Sequence, residues 1–326
     1  MTLPLLKLEE LETSFNTSHG KVRAVDKVSF SLERGKILGL VGESGSGKSV
    51  TGFSVMGLVE PPGRITGGRI LLNGTDLLGL DSEQMRSLRG RKIAMIFQDP
   101  MMTLNPVMRI GIQIIDAIWA HEKVSKVEAT ARARDALATV GISNPEERLR
   151  AYPHQFSGGM QQRVAIAIAI LHKPDLIIAD EPTTALDVTI QSQILAEMQT
   201  LSREQNMALL WISHDLGVVS RLADRVAVMY AGRIVEQGDV GNVIGRPRHP
   251  YTFGLIKSLP GQNRRGTRMT QIPGNMPSMA YLPKGCAFRE RCFCSDDLCM
   301  KDPPQTEIQA GSGHLVRCFH PLEGAL

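Results

Sequence analysis

Several features that define common protein classes are missing from this sequence. No run of about 18 consecutive apolar residues occurs, although a membrane-spanning helix needs roughly that length. The first residues, Met1 to Lys7, contain no basic start followed by a long apolar stretch. We therefore expect neither a membrane span nor an export signal, and no internal repeat or low-complexity tract is visible.

A large excess of charge of either sign is also missing. The chain has 37 basic and 33 acidic residues, a net charge of +4 with histidine neutral. A protein that mainly neutralises the phosphates of a nucleic acid usually has a larger positive excess. A nucleic-acid partner is therefore not expected.

Cysteine is absent before Cys286, and all five cysteines lie between Cys286 and Cys318. A chain without an export signal meets reducing conditions, so structural disulfides are not expected. The role of the cysteines is local to the C-terminal part of the chain.

The length of 326 residues suits about two domains. A hydrophobic content of 42% excludes general disorder. Residues 5–32 alternate apolar and polar positions, which indicates strands with one solvated face. Helical stretches separate four compact apolar runs, and this alternation predicts a doubly wound α/β core. The runs are Ile37 to Val41, Ile93 to Phe97, Leu176 to Ala179 and Ala208 to Ile212.

Residues 107–150 interrupt this core with helix-forming sequence, which predicts an inserted helical subdomain over about 100–160. Val226 to Tyr230 and Ile234 to Glu236 are typical of a hairpin. Beyond residue 245 prolines recur, and the basic stretch Arg264 to Arg268 suggests a linker. We predict one domain over residues 5–245 and a small, loop-rich domain with the cysteines over residues 246–326.

A glycine-rich motif follows the first buried run. Residues Gly42 to Ser49 fit the pattern G-x-x-x-x-G-K-[ST], with a predicted helix after them. The backbone N–H groups of such a loop converge on a phosphate, Lys48 adds positive charge, and the Ser49 hydroxyl can bind Mg²⁺. The motif predicts a nucleotide site formed by Gly42, Ser44, Gly45, Ser46, Gly47, Lys48, Ser49 and Val50.

Polar residues follow the other three buried runs. Asp180 and Glu181 form an acidic pair, in which one acid can hold a metal ion while the other activates an attacking water. Gln98 and His214 follow the remaining runs, so a parallel sheet would bring both to the edge of the phosphate loop. Gln98 could then sense the metal or the water, and His214 could donate a hydrogen bond to the terminal phosphate.

A second glycine-containing helix start lies at Ser157 to Gln161, with the sequence SGGMQ. Ser157 suits a helix N-cap, and the free N–H groups after it can receive an anion. This stretch has no lysine of the phosphate-loop kind.

In number and order, these motifs resemble those of the ABC ATPases. That family has a phosphate loop, a glutamine loop, a signature, an acidic pair, an Asp loop and a switch histidine, in this order. The resemblance covers residues 5–240 approximately. The matching residues are Gly42 to Ser49, Gln98, Ser157 to Gln161, Asp180 and Glu181, Ala185 to Asp187, and His214.

The resemblance implies an α/β fold with a P-loop NTPase core of ABC type, an antiparallel β subdomain and an inserted helical subdomain. It also implies that ATP lies between the phosphate loop of one ATPase and the signature of another. One set of motifs in this chain therefore requires a second ATPase chain, identical or related, with a heterodimer favoured. The signature residues expected at the nucleotide are Ser157, Gly158, Gly159 and Gln161.

The resemblance further assigns roles to single residues. Phe15 occupies the place of the aromatic ring that stacks on adenine, where the family more often has Tyr. Glu181 is the expected base. The other expected contacts are Lys48 and His214 to the terminal phosphate, with Ser49, Gln98 and Asp180 around Mg²⁺.

Longer stretches resemble the ATPase subunits of bacterial dipeptide, oligopeptide and nickel importers: Phe97 to Pro106, Ala179 to Thr189 and Pro247 to Thr252. In such importers two related ATPases pair beneath two membrane permeases, and an external binding protein delivers the substrate. We therefore expect a peripheral subunit at the cytoplasmic face of the inner membrane that hydrolyses ATP to power peptide uptake. Met101 and Met102 either face a permease helix or pack in the core.

Two alternatives remain at this point. The same motifs suit an importer of nickel or another small solute. Less favoured is a soluble ABC ATPase that acts on ribosomes or DNA, because many of those have two cassettes or a long coiled-coil insertion, and neither is present here.

Four of the cysteines, Cys286, Cys292, Cys299 and Cys318, are separated by five, six and eighteen residues, with Cys294 extra. Structural zinc usually has closer pairs, so this spacing favours zinc poorly. An iron–sulfur cluster, plain thiols and, least favoured, zinc all stay open from the spacing alone. Residues Gly285 to Cys292 resemble the C-terminal motif of peptide-importer ATPases that carry a [4Fe–4S] cluster. That resemblance favours the cluster, with Cys292 rather than Cys294 as a ligand.

Overall fold

The computed structural model describes residues 3–18, 20–183, 186–259, 261 and 270–323. Ala185 of the predicted Asp loop and the basic stretch Arg264 to Arg268 lie outside these residues. Over the part that is described, no helix combines the length and apolar character needed to cross a membrane.

Twelve strands and ten α-helices are formed by the described residues, together with short 3₁₀ helices. The strands are β1 (Leu6–Thr17), β2 (Gly20–Leu32), β3 (Ile37–Val41), β4 (Gly63–Leu72), β5 (Thr75–Asp76), β6 (Ile93–Ile96), β7 (Leu176–Asp180), β8 (Ala208–Ser213), β9 (Arg225–Tyr230), β10 (Arg233–Asp239), β11 (Gln305–Glu307) and β12 (Leu315–Arg317). The helices are α1 (Lys48–Met56), α2 (Ser82–Leu88), α3 (Ile110–Trp119), α4 (Lys126–Thr139), α5 (Pro145–Arg148), α6 (Gly158–Ile170), α7 (Val188–Glu204), α8 (Leu216–Leu222), α9 (Val240–Gly245) and α10 (Pro250–Lys257).

The chain divides into two compact units, with one boundary inside β8. The first unit contains the residues up to Leu32, Ile37–Leu78 and the residues from Trp211 onward. The second contains Glu33–Lys36 and Gly79–Leu210.

In the first unit, an antiparallel sheet has the strand order β2-β1-β4-β5. Leu6 in β1 lies opposite Leu32 of β2 and Leu72 of β4, and all three side chains are buried. Alternate residues point to opposite faces of a strand, so the apolar positions of β1 collect on one face. The strands expected over residues 5–32 are confirmed.

The other strands of the first unit run in the order β11-β12-β10-β9-β3. Strand β3 pairs in parallel with β9 and is buried throughout, as its uninterrupted apolar sequence predicts. Strands β9 and β10 form the predicted hairpin, with Ala231 and Gly232 at positive φ in the turn between them.

In the second unit, β6 and β7 pair in parallel, with Ile96 opposite Ala179. The predicted helical region contains α3, α4 and α5, followed by α6, and α4 packs against both α3 and α6. Arg163 of α6 donates to the backbone oxygen of Val140 and to the Glu197 carboxylate. The α/β fold with an antiparallel sheet and an inserted helical region is therefore confirmed.

The residues after 245 contain α10, short 3₁₀ helices and the strands β11 and β12. Strand β12 pairs with β10, placing Val316 opposite Glu236. This part of the chain is therefore joined to the strands that precede it. The predicted boundary at residue 245 stays a prediction.

Candidate functional site

The phosphate loop in the first unit depends on glycine at positions where a side chain would collide. Gly42 and Gly47 have φ values of 159° and 105°. A Cβ atom on Gly47 would lie 2.2 Å from the backbone oxygen of Ala24, and one on Gly42 would lie 2.1 Å from that of Met229. Glycine therefore allows the loop to pass close to neighbouring backbone.

Lys48 is the first residue of α1 and is nearly buried. Its Nζ donates hydrogen bonds of 2.9 Å to the backbone oxygens of Gly42 and Glu43. The ammonium group is thus held over the loop, next to the N-terminus of α1. A lysine charge and a helix N-terminus at one place favour an anion.

Phe15 and His214 also belong to the first unit. The Phe15 ring, at the end of β1, packs on Gly63, where a Cβ atom would lie 2.4 Å from Cε1 of the ring. His214 is exposed directly after β8, and Asp215 caps α8 by accepting hydrogen bonds from the N–H groups of Gly217 and Val218. The roles expected for Phe15 and His214 stay predictions.

In the second unit, the structure brings Gln98 and Glu181 together. They follow the parallel strands β6 and β7, and Nε2 of Gln98 lies 3.4 Å from Oε2 of Glu181. Asp180 is the last residue of β7 and is buried. Glu181 has φ +46°, a left-handed conformation that is strained for this residue type and is often found at functional sites.

The signature motif forms an exposed start of a helix. The Ser157 side chain caps α6 by accepting a hydrogen bond of 3.3 Å from the N–H of Met160. A Cβ atom on Gly158 would meet nothing within 4 Å, while Nε2 of Gln161 donates to the backbone oxygen of Pro153. The first turn of α6 is therefore open to an anion from outside the unit.

All five cysteines line one small cavity in the first unit, together with Phe288, His249 and His320. We call this the cysteine cavity. None of the five forms a disulfide, and Cys299 is buried. The structure thus brings the four predicted cluster residues to one place, with Cys294 beside them.

Two thiols in the cavity accept backbone hydrogen bonds. The N–H of Cys294 lies 3.4 Å from Sγ of Cys292, and the N–H of His320 lies 3.3 Å from Sγ of Cys318. Burial raises the pKa of Cys292 to about 11 and the pKa of Cys318 to about 12. A metal that binds here must therefore displace protons, since the thiolate is the form that ligates.

Two further metal-ligating side chains lie beside the cysteines. One ligand atom each from Asp296, Cys299 and His320 lie within 4.8 Å of one another, and Nε2 of His320 is 2.9 Å from Oδ1 of Asp296. Sequence reasoning missed both Asp296 and His320. The only local signal was the short spacing between Cys318 and His320. The donor set of the cavity fits a metal or cluster held mainly by thiolates.

A buried polar network connects β10 to the residues after it. The Glu236 carboxylate is fully buried and accepts hydrogen bonds from the N–H groups of Arg248 and His249, while Nε2 of His314 lies 2.8 Å from it. The His249 side chain caps α10, because its Nδ1 accepts a hydrogen bond from the N–H of Tyr251. Burial lowers the pKa of His249 to about 4, although the nearby Glu236 acts in the opposite direction.

Two protein families match this chain. The family described as "ABC transporter" matches residues 25–184, and the family "Oligopeptide/dipeptide transporter, C-terminal region" matches residues 235–299. The first match includes the phosphate loop and the acidic pair. The second begins in β10 and ends at Cys299.

Relatives with transport names match over nearly the whole chain. The oligopeptide transport ATP-binding protein OppD of Escherichia coli is 47% identical, and the alignment covers 99% of this chain and 95% of that protein. OppD of Bacillus subtilis is 51% identical over 97% of this chain and 89% of the relative. The dipeptide transport ATP-binding protein DppD of Escherichia coli is 44% identical, with 99% and 98% covered.

Among solved structures, the dimeric ATP-binding cassette MJ0796 bound to ADP and Pi is similar, with a TM-score of 0.65 and 25% identity. The similarity covers 72% of this chain and 98% of that cassette. Both the fold and the sequence therefore lead to the same conclusion: the chain is an ATPase of the ABC transporter family and belongs with the ATP-binding proteins of oligopeptide and dipeptide transporters.

Proposed function

We propose that this chain is the ATP-binding and ATP-hydrolysing subunit of an importer that carries peptides across the bacterial inner membrane. The observation that carries the proposal is the preformed phosphate loop. Lys48, at the start of α1, donates hydrogen bonds from Nζ to two backbone oxygens of this loop. The relatives that cover almost the whole chain are named for oligopeptide and dipeptide transport, which supports peptides as the cargo class.

At the nucleotide, each predicted residue has a separate task. Lys48 neutralises the terminal phosphate and His214 donates a hydrogen bond to it, Phe15 stacks on adenine, and Glu181 accepts a proton from the attacking water. The remaining contacts come from the loop residues Gly42, Ser44, Gly45, Ser46, Gly47 and Val50, with Ser49, Gln98 and Asp180 around Mg²⁺. The contact between Gln98 and Glu181 supports a shared role at the attacking water.

A second ATPase chain completes the nucleotide site in this proposal. The exposed first turn of α6 supports this proposal. In it the nucleotide of the partner is faced by Ser157, Gly158, Gly159 and Gln161. Gly158 in particular has open space around it. The partner is a homologous ATPase, with a heterodimer as the proposed form.

Two permeases and an external binding protein are the other proposed partners, and the chain is placed at the cytoplasmic face of the membrane. Met101 and Met102 are 40% and 70% exposed, which argues against packing in the core of this chain. Val107 and Ile112, in the same helical region, are also exposed. Adaptable apolar side chains of this kind suit docking of a permease helix.

Peptide-dependent ATP turnover tests the proposed function. The complete assembly, purified with its permeases and reconstituted with its binding protein, should hydrolyse ATP faster when a di- or oligopeptide is added. Nickel serves as the matched control ligand. Stimulation by nickel and not by peptides would contradict the proposed cargo, and turnover without any permease-dependent stimulation would contradict the transport role.

For the cysteine cavity, we propose a [4Fe–4S] cluster ligated by Cys286, Cys292, Cys299 and Cys318. The cavity supports this proposal because it gathers these thiols and supplies N–H donors to two of them. A bound cluster would supply four iron-to-thiolate crosslinks, or redox chemistry, at this place. Asp296 and His320 lie close enough to influence it.

Iron binding gives a direct test of this assignment. Anaerobically purified protein should be brown, with visible absorption and about four iron and four sulfide per chain. Cys292→Ser should lose most of the iron, whereas the matched variant Cys294→Ser should keep it. A colourless wild-type protein loaded with zinc would contradict the cluster, and equal iron loss in both variants would contradict the choice of Cys292.

A further inference from the structure

An ion pair joins the phosphate loop to the segment that carries the cysteines. Nη1 of Arg291 lies 3.0 Å from both carboxylate oxygens of Glu43, the second residue of the loop motif. The Arg291 side chain is 8% exposed and that of Glu43 is 27% exposed, so water screens the pair only in part. Cys292 follows Arg291 directly in the chain.

Arg291 is held from several directions at once. Its Nε donates to the backbone oxygen of Pro273 at 2.8 Å, and Nη1 donates to the Tyr230 hydroxyl at 3.3 Å. The guanidinium lies 5.8 Å from the ring centres of both Tyr230 and Phe288, within reach of a cation–π interaction. A side chain fixed in this way transmits a displacement of the backbone at Cys292 to Glu43.

A second contact also connects Glu43 to the cysteine segment. The N–H of Glu43 donates a hydrogen bond of 2.9 Å to the Tyr251 hydroxyl. The Tyr251 ring packs on Phe288, with 5.3 Å between the ring centres, and Phe288 lines the cysteine cavity. Glu43 is thus tied to the cysteine segment through its carboxylate and through its backbone.

Glu43 is also tied to the catalytic lysine, because its backbone oxygen accepts a hydrogen bond from Nζ of Lys48. We propose that Arg291 is a positioning residue that couples the phosphate loop to the cysteine cavity. Nucleotide binding then restrains the cysteine segment, and the state of the cysteines changes the affinity for ATP. Thermodynamic linkage requires that ATP shifts the equilibrium between the states of the cysteine segment by the same factor by which those states shift the affinity for ATP.

The inference rests on the proposed ATP site, and two quantities test it in the full-length chain. One is the dissociation constant of ATP, measured in the presence of EDTA and without turnover. The other is the rate at which the cysteines of iron-free protein react with a thiol-specific disulfide reagent, with and without ATP. In the wild-type protein, ATP should slow this reaction by roughly tenfold, within the usual range of coupling between sites.

In the variant Arg291→Met, ATP affinity should fall by about tenfold and ATP should no longer slow the thiol reaction. The matched control is Arg289→Met, which removes an equal charge from the same segment. Arg289 donates to the backbone oxygen of Lys284 and has no described contact with Glu43. Arg289 lines the cysteine cavity, so its loss alters the basal thiol rate. The control should nevertheless keep the wild-type ATP affinity and the wild-type ratio of the thiol rates with and without ATP.

If ATP slows the thiol reaction of Arg291→Met as strongly as that of the wild type, the inference is wrong. It is equally wrong if Arg289→Met loses the effect to the same extent. Should Arg291→Met fail to fold, Glu43→Gln breaks the pair from the other side and must show the same loss of ATP protection. A wild-type chain that does not bind ATP would instead refute the proposed function.

Discussion

Replacement of Glu181 by Gln is expected to lower ATP turnover by about 100- to 10,000-fold, the usual contribution of a general base. The substitution keeps the size of the side chain and removes only its ability to accept a proton. Glu181 directly follows β7 and its last residue, the buried Asp180, and lies beside Gln98. ATP binding should remain intact, because the phosphate contacts proposed here come from other residues.

The two effects are separated by measuring the steady-state rate of phosphate release and the equilibrium binding of ATP on the same preparation. Glu204→Gln is the matched control, since Glu204 is an exposed carboxylate at the last position of α7. It should keep the wild-type rate. Undiminished hydrolysis by Glu181→Gln would remove Glu181 from the role of base.

Stability should depend on pH through His249, and the variant His249→Asn should show this. The imidazole is fully buried and accepts a hydrogen bond at Nδ1, so burial lowers its pKa from 6.5 to about 4. In the unfolded chain the group binds a proton below pH 6.5, whereas in the folded chain it stays neutral until about pH 4. Folding therefore becomes less favourable as the pH falls through this window.

The size of this effect follows from the shift, which amounts to about 3 kcal/mol of unfolding free energy between its two limits. Asparagine can still accept the hydrogen bond that caps α10, but it does not titrate. The free energy of unfolding of His249→Asn should consequently fall less steeply with decreasing pH than that of the wild type.

Denaturant unfolding at several pH values between about 4 and 6.5 measures how steeply the free energy of unfolding changes with pH. This slope is a better readout than absolute stability, because His249→Asn and its control both also alter packing. Thr252→Ser is the control, since Thr252 is fully buried nearby and does not titrate. It should keep the wild-type slope. Equal slopes for His249→Asn and the wild type would show that the histidine is not the source of the pH dependence.

The sequence predicts the strands well because each is a local pattern. The run at Leu176 becomes β7 and the run at Ala208 becomes β8, with helix α7 between them. The run expected to reach Phe97 ends at Ile96, since Phe97 is half-buried and β6 stops where burial does. Hydrophobic runs report burial more reliably than they report the last residue of an element.

The roles of the motif residues stay predictions, and contacts between residues far apart in the chain are harder to predict than strands. Gln98 and Glu181 could be expected to meet because parallel strands end at one edge. The pair between Arg291 and Glu43 joins positions 248 residues apart in the chain, and no periodicity or spacing encodes it. The same holds for the side chains near the cysteines, whose neighbours depend on how the loops after α10 are folded.

Strand β12 is only three residues long, and Cys318 follows its last residue. It lies between the edge strand β11 and β10, in the sheet that also contains β3, so backbone pairing on both sides of β12 holds the last thiol at the cavity. Separation of β12 from β10 would therefore remove Cys318, one of the four proposed iron ligands, from the cavity. The stability of the cavity therefore depends on the backbone hydrogen bonds of a very short strand next to the sheet edge, and not on the cysteines alone.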